Sequence, residues 1–382
     1  MNYRSWFRSH FESRIEGRYI RLEDLNKVLE TSKDLVEVSV AGVSELGKDI
    51  PLLKIGSGTK VVLGWSQMHG NESTTTKAIF DFLKFIGQTE FFQKEITLFL
   101  ERFTFYVIPI LNPDGAELYI RENANLVDLN RDAQNLSQSE SKVLRTVFEE
   151  TQPELCLNLH DQRSIYGFES GKSATVSFLA PSADEARRLT PSRKIAMEHI
   201  VRLNRALQEL IPDMVGRYDD AFNANCVGDT FQMTGVPTIL FEAGHFEDDY
   251  ARESTREFIF HAFLELFEIN GTIERLIDFN DYFKIPENKI NFKDLIIRNA
   301  RVGEDKETID LAIQYSEVLR NDAIYFEAVI DLINECDLIF GHMEIDMMGE
   351  GILIDSQEKI TVGQIISTIT RKGDFSVIIF PK

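Results

Sequence analysis

Residues 60–87, KVVLGWSQMHGNESTTTKAIFDFLKFIG, change their period twice within one short stretch. The first part, KVVLGWS, is almost continuously apolar, as a strand covered on both faces must be. The middle, MHGNESTTT, is rich in turn-forming and helix-capping residues. In the last part Ala78, Ile79, Phe82, Leu83 and Ile86 recur at helical spacing. The stretch therefore reads as strand, loop, helix, the repeating unit of an α/β sheet.

The alternation extends in both directions. Upstream, VEVSVAG (36–42) and PLLKIG (51–56), each broken by glycine, read as an edge hairpin. Downstream, FTFYVIPILNPDG (103–115) reads as a strand running into a turn, SESKVLRTVFEE (139–150) as a helix, and ELCLNLHDQ (154–162) as a second central strand. A helix around Arg193 to Ile211 carries Ile200, Leu203, Leu207 and Ile211 on one face. The strand TILFEAG (238–244) and a long helix over Asp249 to Glu268 follow. This order predicts an α/β fold with a mixed, largely parallel central sheet and helices on both faces. In such sheets ligands sit beyond the carboxyl ends of the strands.

Residues 1–35 read as a helical segment, with Leu22, Leu25, Val28 and Leu29 at helix spacing, packing outside a catalytic domain over 36–270. Beyond about Gly271 the character changes. KDLIIRNARV, TIDLAIQYSEV, AIYFEAVIDLI, ITVGQIISTIT and FSVIIF are β-like runs separated by polar or glycine-containing turns, which predicts a smaller β-rich C-terminal domain over 271–382.

Composition narrows the function classes. The 41 lysines and arginines face 62 aspartates and glutamates, a net charge of -21, so nucleic acid and anionic membrane surfaces are repelled. The N-terminus mixes charges with single apolar residues, unlike a secretory signal, and no run approaches the roughly 20 apolar residues of a membrane span. Cys156, Cys226 and Cys336 are widely spaced and form no CxxC pair, which speaks against a disulfide framework and a thiolate zinc site and for a reducing cytoplasm. The 28 phenylalanines follow helix and strand patterns and read as core.

Four polar spots fall at the ends of predicted central strands: HGNE at His69, NPDG at Asn112, LHDQ at His160 and FEAG at Glu242. Groups placed there converge on one crevice although they are far apart in the chain. Catalytic zinc takes three nitrogen and oxygen ligands and an open fourth position, and a His-x-x-Glu turn with a distant histidine meets that requirement. By itself His-x-x-Glu is a weak signal, since Glu72 also suits a helix N-terminus.

The order of motifs adds weight. SVAGVSELGKDIPLLKIG, HGNE, NPDG, RENANLVDLNRD, LNLHD and TILFE, from roughly Val38 to Gly244, resemble the zinc carboxypeptidases of the M14 metallopeptidase clan. The resemblance implies one zinc ion held by His69, Glu72 and His160. It implies that Arg121 polarises the scissile carbonyl and that Asn130 and Arg131 anchor the substrate's terminal carboxylate. Glu242 matches the general base that takes a proton from the zinc-activated water and passes it to the leaving amine. Chemistry supports these roles: a carboxylate beside an activated water can serve as base, and a guanidinium can grip a carboxylate with two parallel hydrogen bonds. For Arg121 and Arg131 the plain alternative is a surface ion pair, and for Glu242 a strand-end salt bridge.

Other positions match less well. Tyr218 is the nearest candidate for the family's lid tyrosine, although its neighbours do not fit and a surface tyrosine reads equally well. Asp161 could orient a zinc-bound histidine or lie in a loop, and His245 could touch substrate or cap a helix. His10, His199, His261 and His342 read as structural. The acidic run Glu247 to Asp249 reads equally as a charged helix start, so no side-chain preference follows.

The implied substrate is a peptide or an acylated amino acid with a free carboxylate. Deacylases resembling aspartoacylase and succinylglutamate desuccinylase share the site residues and carry a β-rich C-terminal domain. The motifs NPDG, RENAN and DLNRD look more peptidase-like. A non-catalytic protein retaining the fold is the third reading. Oligomeric state is not legible.

Overall fold

The alternating patterns between residues 37 and 266 fold into an eight-stranded mixed sheet with helices on both faces. The computed structural model describes residues 1–31, 36–271, 277–303, 307–357, 359–378 and 380. These divide into two units. The first comprises Met1–Gln162, Ala174–His245 and Ala251–Asn288, and the second Arg163–Ser173, Phe246–Tyr250 and Lys289–Lys382. The change of character expected near Gly271 adjoins residues 272–276, which lie outside the described residues.

In the first unit the chain forms β1 (Glu37–Val43), β2 (Asp49–Ile55), β3 (Lys60–Trp65), β4 (Phe103–Ile108) and β5 (Leu155–Asp161). A two-residue strand of the second unit, β6 (Tyr166–Gly167), follows. Then β7 (Val176–Leu179), β8 (Val215–Arg217) and β9 (Thr238–Ala243) complete the sheet in the order β1-β2-β4-β3-β5-β9-β7-β8. β1 and β2 form the antiparallel hairpin read from the sequence. The centre, β4-β3-β5-β9, is parallel throughout, so the carboxyl ends of four strands share one edge.

Nine helices are seen among the described residues. They are α1 (Tyr3–His10), α2 (Leu22–Leu29), α3 (Thr74–Gly87), α4 (Gln93–Arg102), α5 (Pro113–Leu118), α6 (Ser139–Thr151), α7 (Pro191–Leu207), α8 (Val227–Met233) and α9 (Glu253–Leu266). α3, α7 and α9 pack together on one face of the sheet, while α6 and α8 cover the other. The pleat explains the division. Leu63 and Trp65 point from β3 towards Leu144 and Val147 of α6 and Val227 and Phe231 of α8. On the opposite face Phe82 of α3 meets Phe99, Phe263 and Phe267 within 5.3 to 6.0 Å between ring centres.

Some elements depart from the reading of the sequence. NPDG does not end in a turn. Asn112 caps α5, its Oδ1 accepting from Gly115 N at 2.8 Å, with Pro113 in the first turn. The dipeptide Asn-Pro serves turns and helix starts alike. α4 carries only Ile96 and Phe99 as buried residues, too few for a visible helical stripe. α8, β7 and β8 are short, and tertiary packing decides them.

The second unit is β-rich. β10 (Lys289–Ile290) pairs with β6, and β11 (Phe292–Val302), β12 (Ile309–Arg320), β13 (Ala323–Ile333), β14 (Phe340–Asp346), β15 (Gly351–Ile354), β16 (Ile365–Ile366), β17 (Ile369–Arg371) and β18 (Val377–Ile378) form a sheet. Leu295 and Ile297 join the larger cluster around Leu311, Ile313 and Ile330, while Ile296 faces Ala312 and Cys336. β11 is thus buried on both faces there, which accounts for its unbroken apolar run.

A buried ion pair ties α3 to α9. Arg256 donates from Nη2 and Nε to the two oxygens of Asp81 at 2.7 and 2.8 Å, with both side chains fully buried. It also donates to the carbonyls of Ile15 and Glu12, fastening the segment between α1 and α2. Replacing Asp81 by alanine takes away the two-pronged partner of the buried guanidinium and leaves Glu253, 2.9 Å from Nη1, to balance its charge, and urea unfolding is expected to show a loss of about 3 kcal/mol.

Two largely buried histidines add a dependence on pH. Burial pushes His199 on α7 and His261 on α9 down from 6.5 to about 4. Nδ1 of His199 and Nε2 of His261 have no hydrogen-bond partner among the described residues. Between these values the unfolded chain binds more protons than the folded one, so stability falls as pH drops from 6.5 towards 4. In unfolding titrations across that window, His199→Gln or His261→Gln should flatten the slope.

Candidate metal and catalytic site

The loop after β3 is shaped by close backbone approaches. A Cβ on Gly70 would fall 2.1 Å from the carbonyl carbon of Gly115, and one on Gly115 would fall 2.4 Å from the oxygen of Glu122. Only glycine lets the HGNE, NPDG and RENAN segments interlock. Asn112 braces them, its Nδ2 donating to the carbonyls of Met68 at 3.2 Å and Glu122 at 3.1 Å. This motif residue is therefore a strut for the site. Ser66 ties the loop back to α3 through the hydroxyls of Thr75 and Thr76 at 2.7 and 2.8 Å.

That loop presents His69 and Glu72 to β5. Nδ1 of His69 lies 2.8 Å from Oε1 of Glu72, Nδ1 of His160 lies 2.8 Å from Oε2, and the two Nδ1 atoms are 3.0 Å apart. All three ligand atoms lie within 4.8 Å of one another. His69 and His160 are each only 2% exposed. Burial disfavours charge on Glu72, yet the adjacent histidines hold its carboxyl well below the usual range. Burial lowers His160 despite Glu72, whereas His69 is raised because Glu72 and Asp128 outweigh its burial.

The donor set suits a metal cation. Nε2 of His69 lies 3.1 Å from Oδ1 of Asp128. A neutral imidazole donating there turns its Nδ1 lone pair towards Glu72 and His160, the arrangement in which a carboxylate on the far ring nitrogen holds a metal-bound histidine in place. Two imidazole nitrogens and a carboxylate at this spacing match the preference of catalytic zinc.

Asp128 was not among the sequence candidates. It also accepts from Nε and Nη2 of Arg121 at 3.2 and 3.0 Å and from Asn130 N at 2.9 Å. An acid two residues before Asn-Arg was the available hint, but its reach to His69, 59 positions away, is tertiary. Arg121 is thereby paired, while its Nη1 stays 3.3 Å from Oε1 of Glu72 and 3.2 Å from Nδ1 of His69.

Glu242 stands directly beside His160, the two being register partners of the parallel strands β9 and β5. Directly paired residues project from the same face, so the carboxylate shares the side of His160. The side chain of Glu242 makes no hydrogen bond among the described residues. Burial, with Glu72 and Asp161 nearby, raises its pKa well above the usual carboxylate range.

Asn130 and Arg131 lie on a 3-10 turn over Leu129–Arg131. Oδ1 of Asn130 accepts from Val227 N at 3.0 Å. Arg131 is exposed and forms no ion pair among the described residues. Asp161 faces the other side of the sheet, where Oδ2 accepts from the amide and hydroxyl of Thr74 at 3.1 and 2.5 Å. It caps α3 and does not orient a histidine. Its amide, however, donates to Glu72 at 3.2 Å. Tyr218 follows the edge strand β8, separated from β5 by β9 and β7. His245 is buried, and its carbonyl accepts from Thr175.

A family model described as zinc carboxypeptidase, of the M14 peptidases, matches residues 22–261. The chain belongs to that family. The zinc carboxypeptidases are metallohydrolases, and the structural comparisons agree on the fold. A metallo-carboxypeptidase from Burkholderia cenocepacia superposes with a TM-score of 0.54 at 17% identity, over 65% of this chain and 68% of that one. One from Pseudomonas aeruginosa, in complex with (2-guanidinoethylmercapto)succinic acid, gives 0.52 at 17% identity over 65% and 68%. Carboxypeptidase A from Helicoverpa armigera gives 0.50 at 16% identity over 66% and 72%. No curated protein matches the sequence. No helix among the described residues is long and apolar enough to cross a membrane.

Asp128 offers a direct test of the metal-site geometry. Asp128→Ala frees the His69 ring, and zinc affinity, measured by competition with a chromophoric chelator, should fall about 10- to 100-fold.

Proposed function

We propose that this zinc carboxypeptidase family member is a metallocarboxypeptidase that removes the C-terminal residue of a peptide, using one zinc ion held by His69, Glu72 and His160. The observation that carries the reading is the placement of an unbonded carboxylate, Glu242, in register with His160 beside three converging metal-type donors. Zinc, when bound, lowers the pKa of water and polarises a carbonyl. Glu242 takes the proton from the attacking water and returns it to the leaving amine. A carboxylate placed beside the metal-type donors can act first as base and then as acid.

Arg121 has one guanidinium nitrogen turned to the cluster while Asp128 holds the other two. It is poised to stabilise negative charge developing on the carbonyl oxygen. Arg131 keeps a guanidinium without an ion pair, and with Asn130 it receives the substrate's terminal carboxylate. We assign Tyr218 no more than a place at the margin of substrate binding. The three cysteines are free, which supports residence in the reducing cytoplasm.

A second reading is supported by the β-rich second unit, a feature shared with deacylases resembling aspartoacylase and succinylglutamate desuccinylase. There the same residues cleave an N-acyl amino acid. Mass spectrometry of products decides between them. The peptidase releases single C-terminal residues from free-acid peptides, spares C-terminal amides and loses activity with chelator. Glu242→Gln should lower kcat about 10²- to 10⁴-fold. Turnover of N-acyl amino acids with every peptide left intact would replace the first reading by the second.

A further inference from the structure

The segment bearing Asn130 and Arg131 is clamped to the loop and first turn of α8. Val227 N donates to Asn130 at 3.0 Å, and Arg131 Nη1 donates to Cys226 Sγ at 3.1 Å. Ala133 N donates to the carbonyl of Asn225 at 3.3 Å, and Gln134 Nε2 to the hydroxyl of Thr230 at 2.9 Å. Four successive contacts run side by side, and the one at Arg131 is made by a thiol.

We propose that Cys226 is a positioning residue for Arg131, fixing the guanidinium for a substrate carboxylate without neutralising it; this rests on the carboxypeptidase reading. Arg131 Nη1 is held from two sides, by Cys226 Sγ and by the carbonyl of Asn130 at 2.8 Å. Nε and Nη2 remain available for a ligand, since Arg131 has no ion pair among the described residues. A carboxylate in place of the thiol would form that ion pair and compete with substrate. A sulfur atom orients the fork as a weak acceptor and leaves the positive charge in place.

The surroundings keep the sulfur in that state. Burial, with Asp229 and Asp128 nearby, pushes the Cys226 thiol up to about 11 although Arg131 favours the thiolate. The protonated thiol can share its hydrogen with Asp229, a carboxyl only 7% exposed. Cys226 thus stands between a buried acid and the anchoring arginine.

The test measures kcat and KM on a free-acid peptide for Cys226→Ala and Cys226→Ser, each also in an Arg131→Ala background. Cys226→Ala is expected to raise KM about five- to twentyfold with kcat within about twofold of wild type. Cys226→Ser, which restores an acceptor, should recover most of that loss. In the Arg131→Ala background the alanine substitution should add nothing. A KM within about twofold of wild type for Cys226→Ala, or the same loss without Arg131, overturns the proposal. Side-chain relaxation of the Arg131 Nε–H by nitrogen-15 NMR reads the same ordering without turnover, and should show greater mobility in Cys226→Ala alone. Wild type that cuts no peptide defeats the functional reading, while the relaxation result still decides the role of Cys226.

Discussion

Glu72 uses both carboxylate oxygens to join parts of the chain that otherwise have little reason to meet. Oε1 engages His69 in the loop after β3, and Oε2 engages His160 and the amide of Asp161 at the end of β5. A buried carboxylate left alone is costly, and this one is stabilised by two imidazoles and a backbone donor. The arrangement holds the two strand ends and the loop in one geometry. Arg121 and Asp128 extend it outward, so the candidate site is one continuous polar network set into an apolar sheet.

Networks of this kind are stable only when nearly all members are satisfied. The surrounding structure meets that demand from the backbone upward. Gly70 and Gly115 allow three loops to touch, Asn112 binds two of them, and Asp161 turns away to cap α3. Nε2 of His160 and Oδ1 of Asp161 stay without a partner among the described residues, and the Glu242 side chain beside His160 makes no hydrogen bond among them and has a raised pKa. A buried carboxyl with a raised pKa beside three metal-type donors marks a candidate functional group.

Much of the fold was legible because long apolar periods dominate it. KVVLGWS, ELCLNLHDQ and TILFEAG form β3, β5 and β9, and their polar ends mark His160 and Glu242 in the sequence itself. The short elements were hidden for the opposite reason. α8 has seven residues and β8 three, and such pieces exist only because neighbours bury them. Asp128 was hidden too, since a lone acid in VDLNRD has no local pattern that points to His69. Asp161 shows the converse, a residue adjacent to His160 that the pleat sends to the opposite face.

By itself, then, the sequence determined the α/β alternation, the parallel centre and the residue types able to bind a metal and move a proton. These follow from hydrophobic period and from the chemistry of side chains, both local properties. Tertiary structure alone decided that Asp128 sets the His69 ring, that Glu242 registers with His160, and that Arg131 rests on the thiol of Cys226, the residue that precedes α8. Such contacts depend on strand register and loop closure between residues as many as 95 positions apart, and no short-range pattern encodes them.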